Sequence, residues 1–413
     1  MSHPPINKRK IINDPVYGFI DIPGNLIFDL IEHPYFQRLR RIKQLGLTHL
    51  VYPGALHTRF QHSIGAMHLM QEALTTLKAK GHKISHQEEE AALIAILLHD
   101  IGHGPFSHAL ENSIVQKTHH EEISNIFMIR LNDEFGNNLK MGIDIFNHNY
   151  KKSFLSQLVS SQLDMDRLDY LKRDSFFTGV SEGVIGTERI IKMLDIDDDN
   201  LVVEAKGIYS LEKFIVARRI MYWQVYLHKT VLSAENMLTK ILKRARFLAL
   251  NGTDLFCTPA LKFFLNYNNN IDFRTDPESI SQFSQLDDFD IFTSIKVWKN
   301  HNDKILSTLC RNLSERKLFK CQIQTEPFEY FFIEEVKSQI IDKYNLREDE
   351  LEYFFYSDTT SNYAYNLDSD KILIRTKSGK VIDLAEASDQ MDASVHSKAV
   401  IKHFICYPKD VDK

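Results

Sequence analysis

A mainly α fold, with a large helical region over residues 1–300 and a smaller α+β lobe over 301–413, is what this sequence predicts. Three observations carry that expectation. Apolar residues recur at helical spacing through most of the first 250 positions. Runs of β-branched and aromatic residues appear from about residue 319 onward. With 43% hydrophobic and 25% charged residues over 413 positions, the composition is ordinary for a globular protein with a substantial core.

Taken in order, residues 1–25 read as an extended arm with turn signals at Asp14-Pro15 and Pro23-Gly24. Helices are expected over 26–45, 59–80, 88–101, 121–134, 157–173 and 211–243, with Thr58 as the N-cap of the second. The stretch 266–290, rich in Asn, Asp and Ser, reads as a linker. The DIDDD run at 195–199 reads as a solvated turn, because it lacks the glycine and closing Glu of a calcium loop. In the C-terminal lobe FKCQIQT, LEYFFYS and KILIRTK read as strands, with FEYFFIEEVKSQIIDKY helical between the first two.

The start MSHPPINKRK has no apolar core, and nothing later offers about eighteen uninterrupted apolar residues. Neither a secretion signal nor a membrane span is expected, and the expected location is cytoplasmic. Cys257, Cys310, Cys321 and Cys406 form no CxxC pair, which argues against a disulfide framework or a thiolate zinc knuckle and for reduced core residues. A net charge of −5 gives no global attraction to nucleic acid, so an anionic ligand must be met by a local basic patch. The run Arg38, Arg40, Arg41, Lys43 has little aromatic interleaving, Tyr35 and Phe36 reading as core anchors, so nucleic acid is not expected as the main partner.

Histidine points to one region: eleven of the eighteen lie between residues 49 and 120. Within it AALIAILLHDIGHGPFSH is an apolar helix running straight into His99-Asp100 and stopped by Gly102, Gly104 and Pro105. An imidazole and a carboxylate there sit where the negative end of the helix dipole favours a cation; a lone His-Asp is more often just a hydrogen-bonded helix end. Upstream, TRFQHSIGAMHLMQ places Arg59 and His62 on one helix face, as a phosphate clamp and a ligand. Downstream, Asp166, Tyr170 and Asp174 recur at i, i+4 as one polar stripe in SSQLDMDRLDYLKRDS, where the plain alternative is a solvated face.

His62, His99-Asp100 and Asp166 together form the H…HD…D pattern, and the chain resembles the HD-domain phosphohydrolases. It is most similar to the branch of SAM-and-HD-domain dNTP triphosphohydrolases and their bacterial relatives. INDPVYGFIDI, HPYFQRLRRIKQLG, YPGALHTRFQHSIG, LLHDIGHGPFSH, HEEIS, DMDRLDYLKRDS and ARRIMYWQVYLHK carry that resemblance in order, over roughly residues 10–300. It implies an HD-domain helical core in which His62, His99, Asp100 and Asp166 hold one divalent metal. The N/O donor set suits Mn, Fe, Ni, Zn or Mg, and additional Mg would accompany the nucleotide. It also places Arg59 on the triphosphate, Arg167 where relatives often have a phosphate-binding lysine, and His103, His108, Glu111 and His120 around the reacting phosphate. His120 paired with Glu111 is the candidate general acid, with His119 as the competing assignment.

On the same resemblance Tyr170 and Asp174 face the sugar, Gln44 and Leu45 touch it, and Arg218, Tyr222 and Tyr226 come from the long later helix. Tyr222 stands where the animal enzyme has histidine. His49, His57, His68, His82 and His86 read instead as core or surface residues. The resemblance further implies a homo-oligomer, dimer or tetramer, with a regulatory guanine nucleotide held by Lys10, Asn13, Glu32, Gln37 and Arg40, Glu32 replacing an aspartate. The expected reaction is hydrolysis of a dNTP at its α-phosphate to deoxynucleoside and triphosphate. Hydrolysis of another nucleotide phosphate ester and a non-catalytic nucleotide sensor are the alternatives, since a fold alone does not choose a function.

Overall fold

The computed structural model describes residues 10–106, 118–267, 273–362, 365, 371–389 and 400–412. The fold is mainly α, as the sequence predicts, with three small sheets. The arm is a hairpin of β1 (Lys10–Asp14) and β2 (Gly18–Ile22), reversing at the Asp14-Pro15 signal. Asp14 Oδ1 holds that turn by accepting the N–H groups of Val16 at 2.8 Å and Tyr17 at 3.1 Å.

Residues 26–45 are not one helix. The chain turns extended at His33 before Pro34, which separates α1 (Asn25–Glu32) from α2 (Pro34–Gln37), and a 3-10 turn covers Arg38–Arg41. Next come α3 (Arg59–Ala79) and α4 (His86–Leu98), both apolar around most of their circumference and packed on each other at the centre of the core. Thr58 caps α3 as expected, its N–H donating to Gln61 Oε1 at 2.9 Å, and Ser85 caps α4, which begins earlier than the expected residue 88, its N–H donating to Glu88 Oε2 at 2.9 Å.

After α5 (His120–Glu134) and α6 (Lys140–Phe146), the single helix expected over 157–173 is two: α7 (Ser153–Val159) and α8 (Met165–Thr178). Asp164 makes the break, its carboxylate accepting Ser161 N–H at 2.7 Å and capping Arg167 N–H at 2.7 Å. Following α9 (Thr187–Met193), the DIDDD run is only in part a turn: Asp195, which is buried, Ile196 and Asp197 belong to β3 (Leu194–Asp197), and Asp198 and Asp199, at positive φ, reverse the chain into β4 (Asn200–Glu204).

The long helix expected over 211–243 is interrupted as well. Between α10 (Ile208–Met221) and α11 (Lys229–Leu250) lies a π turn over Tyr222–Tyr226, where Leu227 N–H donates to Tyr222 O at 2.7 Å. The presumed linker 266–290 contains α13 (Pro277–Phe283) and the start of α14 (Asp288–Trp298), and it follows α12 (Pro259–Leu265). Two of its aspartates are N-caps: Asp276 accepts Ser279 N–H at 3.0 Å and Asp287 accepts Phe289 N–H at 2.9 Å.

Beyond α15 (Lys304–Ser314) come β5 (Lys320–Gln324), α16 (Tyr330–Tyr344), β6 (Tyr356–Asn362), β7 (Leu373–Arg375), β8 (Val381–Asp383) and β9 (Val400–Tyr407). One sheet runs β5-β9-β6; β7 and β8 return to extend the hairpin in the order β3-β4-β7-β8, Val203 lying opposite Ile374 in parallel register. LEYFFYS is a 3-10 turn that leads into β6. The four cysteines are unpaired thiols. Among the described residues, no helix is long and apolar enough to cross a membrane.

Candidate metal centre and its surroundings

Three helix ends converge. His62 lies one turn into α3, His99 and Asp100 follow the last turn of α4, and Asp166 lies in the first turn of α8. Ligand atoms of His62, His99 and Asp166 all lie within 4.8 Å of one another. The His62 and His99 Nε2 atoms are 3.3 Å apart, and Asp166 Oδ1 is 3.1 Å from the former and 3.5 Å from the latter. Asp100 borders the same space, Oδ2 at 3.7 Å from His62 Nε2 and Oδ1 at 3.3 Å from His99 Nε2.

Hydrogen bonding on the far side of each ring fixes what faces inward. His99 Nδ1 lies 2.6 Å from the Ile96 carbonyl, which can only accept, so Nδ1 carries a hydrogen and Nε2 is the nitrogen that faces inward and would offer its lone pair to a cation. His62 Nδ1 is 2.8 Å from Asp169 Oδ2 and is oriented in the same way. Two imidazole lone pairs and a carboxylate facing one another, with a second carboxylate alongside, are a donor set that fits a divalent cation.

The charges agree with that fit. Burial opposes protonation of His62, but hydrogen bonds to Asp166 and Asp169 and the Asp169 and Asp100 charges outweigh it and raise its pKa to about 10. His99 is buried too, yet Asp100 and Asp166 push its pKa up. Asp100 is buried, but the surrounding His99, His103 and Arg59 hold its carboxyl well below the usual range. Both imidazoles thus face carboxylates that favour positive charge between them.

Arg59 Nη1 donates to Asp100 Oδ2 at 2.5 Å, and His103 Nε2 is 3.2 Å from Asp100 Oδ1. His103 is kept neutral by its burial and by the Arg59 charge. His120 stacks on His103 with ring centroids 3.9 Å apart, whereas His119, one residue earlier, is exposed. Gly102 permits this approach, because a Cβ there would stand 2.7 Å from the Ile123 carbonyl carbon and closer still to α5 backbone atoms of Ser124 and His120. His108 and Glu111 lie outside the described residues.

On the other side, α8 and the π turn gather the expected sugar-side residues. Tyr226 donates to Asp174 Oδ2 at 2.7 Å, Tyr170 and Tyr222 rings pack edge-on against Tyr226, and the Arg218 guanidinium lies 6.0 Å from the Tyr222 ring. Arg167 is anchored through Nε, to Ser161 O at 2.6 Å and Asp164 Oδ2 at 3.2 Å. Leu45 is half-buried, next to Gln44 on the segment before α3. Gln44 Oε1, Arg59 Nε and Arg218 Nε are buried without a hydrogen-bond partner.

Sequence reasoning passed over three residues. His57 is buried, stacked on Phe177, with Nε2 at 2.8 Å from Asp174 Oδ1. Asp169 and Arg173 are fully buried and bonded to each other. Their signal was present: both are charges on a helix with apolar residues around most of its circumference.

Of the residues matched to a regulatory nucleotide, Arg40 Nε donates to Gln37 Oε1 at 2.8 Å, and burial lowers the Arg40 pKa against the opposing Glu32 charge. Lys10 Nζ sits over the Phe28 ring, while Asn13 is exposed on β1.

Residues 59–174 match the HD domain and residues 185–252 an HD associated region. Similar solved structures include a phosphohydrolase from Bacteroides thetaiotaomicron, 53% identical with a TM-score of 0.93 over 97% of this chain and 100% of that one. An uncharacterized Bacillus subtilis protein, YwfO, is 33% identical over 98% of this chain and 94% of its own length. A Dictyostelium discoideum homolog of the deoxynucleoside triphosphate triphosphohydrolase SAMHD1 is 33% identical over 59% of this chain and 51% of its own length. With ligand pattern, matched domain and relatives in agreement, the chain belongs to the HD-domain phosphohydrolases and resembles their SAM-and-HD-domain dNTP triphosphohydrolase branch.

Proposed function

We propose that this protein hydrolyses a dNTP at its α-phosphate, releasing deoxynucleoside and inorganic triphosphate. The observation that carries the reading is the His/His/Asp centre together with buried, unpartnered polar atoms on residues tied to its surroundings: Arg59 Nε, whose side chain bonds Asp100, Arg218 Nε, near Tyr222, and Gln44 Oε1, whose backbone bonds His57. Buried polar atoms without partners are costly, and a ligand with a polar sugar and a polyanionic tail would satisfy them.

A divalent ion held by His62, His99 and Asp166, with Asp100 beside them, would withdraw charge from phosphoryl oxygens and lower the pKa of bound water. Arg59 meets charge developing on the phosphate, and Arg167 offers the two terminal guanidinium nitrogens that its Nε anchor leaves over. His120 protonates the departing 5′-oxygen; it stacks on neutral His103, which in turn contacts Asp100, whereas His119 is exposed. Asp174, fixed by His57 and Tyr226, orders the sugar pocket.

Purified, manganese-supplemented protein incubated with each dNTP, with and without GTP, and analysed by ion-exchange chromatography tests the reading. Deoxynucleoside with inorganic triphosphate is expected, and a dependence on GTP that is lost on substitution of Lys10, Asn13, Glu32, Gln37 or Arg40 would support a regulatory nucleotide there. Orthophosphate release, or no turnover with metal bound, would overturn it. Assembly as a homo-oligomer belongs to the same reading and is measured by light scattering.

A further inference from the structure

We infer that the N-terminal hairpin is a working part of the metal centre: Asp14 and Arg173 are positioning residues that act through Asp169 on His62 and so set metal affinity. The inference rests on reading His62 as a ligand. Four buried groups form one continuous relay. Arg173 Nη1 donates to Asp14 Oδ2 at 2.8 Å; its Nε donates to Asp169 Oδ2 at 2.9 Å and its Nη2 to Asp169 Oδ1 at 3.0 Å. Asp169 Oδ2 in turn accepts from His62 Nδ1 at 2.8 Å. Asp14 is 4% exposed and Arg173, Asp169 and His62 are each 0% exposed, so water does not screen the chain of charges.

Each link has a physical direction. A carboxylate on Nδ1–H makes the imidazole a better donor at Nε2 and holds its plane. The two-pronged Arg173 contact fixes Asp169 but also draws on its charge. Asp14 answers the same guanidinium from the opposite side, and so limits how far Arg173 neutralises Asp169. The hairpin grips Arg173 a second time, with the Tyr17 ring 5.6 Å from the guanidinium. Removing the Asp14 charge leaves Arg173 pulling on Asp169 alone, weakens the hold on His62 and leaves uncompensated positive charge near the cation.

A plain structural staple makes a different prediction: loss of Asp14 would lower stability and leave the metal affinity of folded protein unchanged. The test titrates metal-stripped protein with cobalt(II) against a competing chelator, reading both apparent Kd and the visible spectrum of bound cobalt. Asp169→Asn is expected to weaken binding about 10–100-fold, Asp14→Asn several-fold, and both to shift the cobalt bands. Because the residues act in series, the double variant should bind within about threefold of Asp169→Asn alone. If Asp14→Asn fails to fold, Arg173→Lys, which keeps the charge but loses the fork, carries the same expectation. Folded single variants with wild-type affinity and spectrum, or losses that multiply in the double variant, overturn the inference. Retained cobalt affinity in His99→Ala would instead overturn the metal reading, and none of these readouts depends on which nucleotide is cleaved.

Discussion

Gly65→Ala gives the sharpest test of how the core is arranged around His62. In an ordinary helix interior this change stabilises by about 1 kcal/mol, because alanine loses less backbone freedom on folding. Gly65 lies on α3 one turn beyond His62, and there the α8 ion pair presses directly on the helix. A Cβ would stand 2.9 Å from Asp169 Cγ and closer still to Asp169 Oδ1 and Arg173 Nη2. Neither side chain can swing away, since Asp169 is held by His62 and Arg173, Arg173 also by Asp14, and none reaches solvent. Parting a buried pair costs about 3–5 kcal/mol, so a net loss of about 2–4 kcal/mol remains after the propensity gain. Equilibrium urea unfolding followed by circular dichroism reads the loss, and cobalt titration should show weaker metal binding in parallel. In an Asp169→Ala background the same change should cost little, because the obstacle is gone. A Gly65→Ala protein as stable as wild type would refute the claimed contact between the relay and α3.

Further outcomes follow from other contacts. Burial opposes ionisation of Glu88, but hydrogen bonds from Lys152, the Ser85 backbone and Tyr150 outweigh it and lower its pKa from 4.5 to about 2. Its contribution, roughly 3 kcal/mol at most, is therefore full above pH 4.5 and lost as pH falls toward 2. The stability gap between wild type and Glu88→Gln should close over that window, and a gap independent of pH would refute the assignment. His57→Phe keeps the stacking on Phe177 but strips Asp174 of a partner; about a tenfold fall in kcat/KM is expected, with cobalt affinity unchanged, whereas unchanged kinetics would remove His57 from the site. His120→Ala should slow turnover about 10²–10⁴-fold and His119→Ala by far less, and the opposite ranking would move the proton donor to His119. Arg167→Lys should raise KM for a dNTP about tenfold, since losing one charge-assisted contact costs on the order of 1.5 kcal/mol; an unchanged KM would show that Arg167 only anchors Asp164.

What the sequence disclosed best was what repeats or punctuates. The apolar faces of α3 and α4, the Thr58 cap and the glycine stop after His99-Asp100 were readable because helix periodicity and capping are local. Helix breaks were less readable. The His33-Pro34 break had a local signal in its proline, but Asp164 looks like one more polar residue until its carboxylate is seen closing over Ser161 and Arg167. Likewise 266–290 looks like a linker because capping residues and linker residues are the same types; only packing shows that Asp276 and Asp287 begin helices. The sheet that carries β7 back to β4 joins residues about 170 apart, a pairing that no local pattern encodes. His57 was passed over for a related reason: its meaning lies in Asp174, 117 residues away.

Four arginines stand around the centre, and their hydrogen bonds divide the labour among them. Arg173 is fully buried and engages Asp14 and Asp169 through all three of its nitrogens. Arg59 gives Nη1 to Asp100 and keeps a buried, unpartnered Nε, so it is tied and receptive at once. Arg218 likewise keeps an unpartnered Nε beside Tyr222. Arg167 is the instructive case, because it stands where the resembled enzymes often have lysine. Its Nε alone serves Ser161 O and Asp164, and the two terminal nitrogens of a planar guanidinium remain to point elsewhere. A lysine ammonium is a single point that would have to choose between Asp164 and a phosphate. The guanidinium lets one side chain hold the break before α8 and keep its terminal nitrogens for other contacts. On the proposed function, helix geometry and phosphate binding would both be carried by one residue, adjacent to the candidate ligand Asp166.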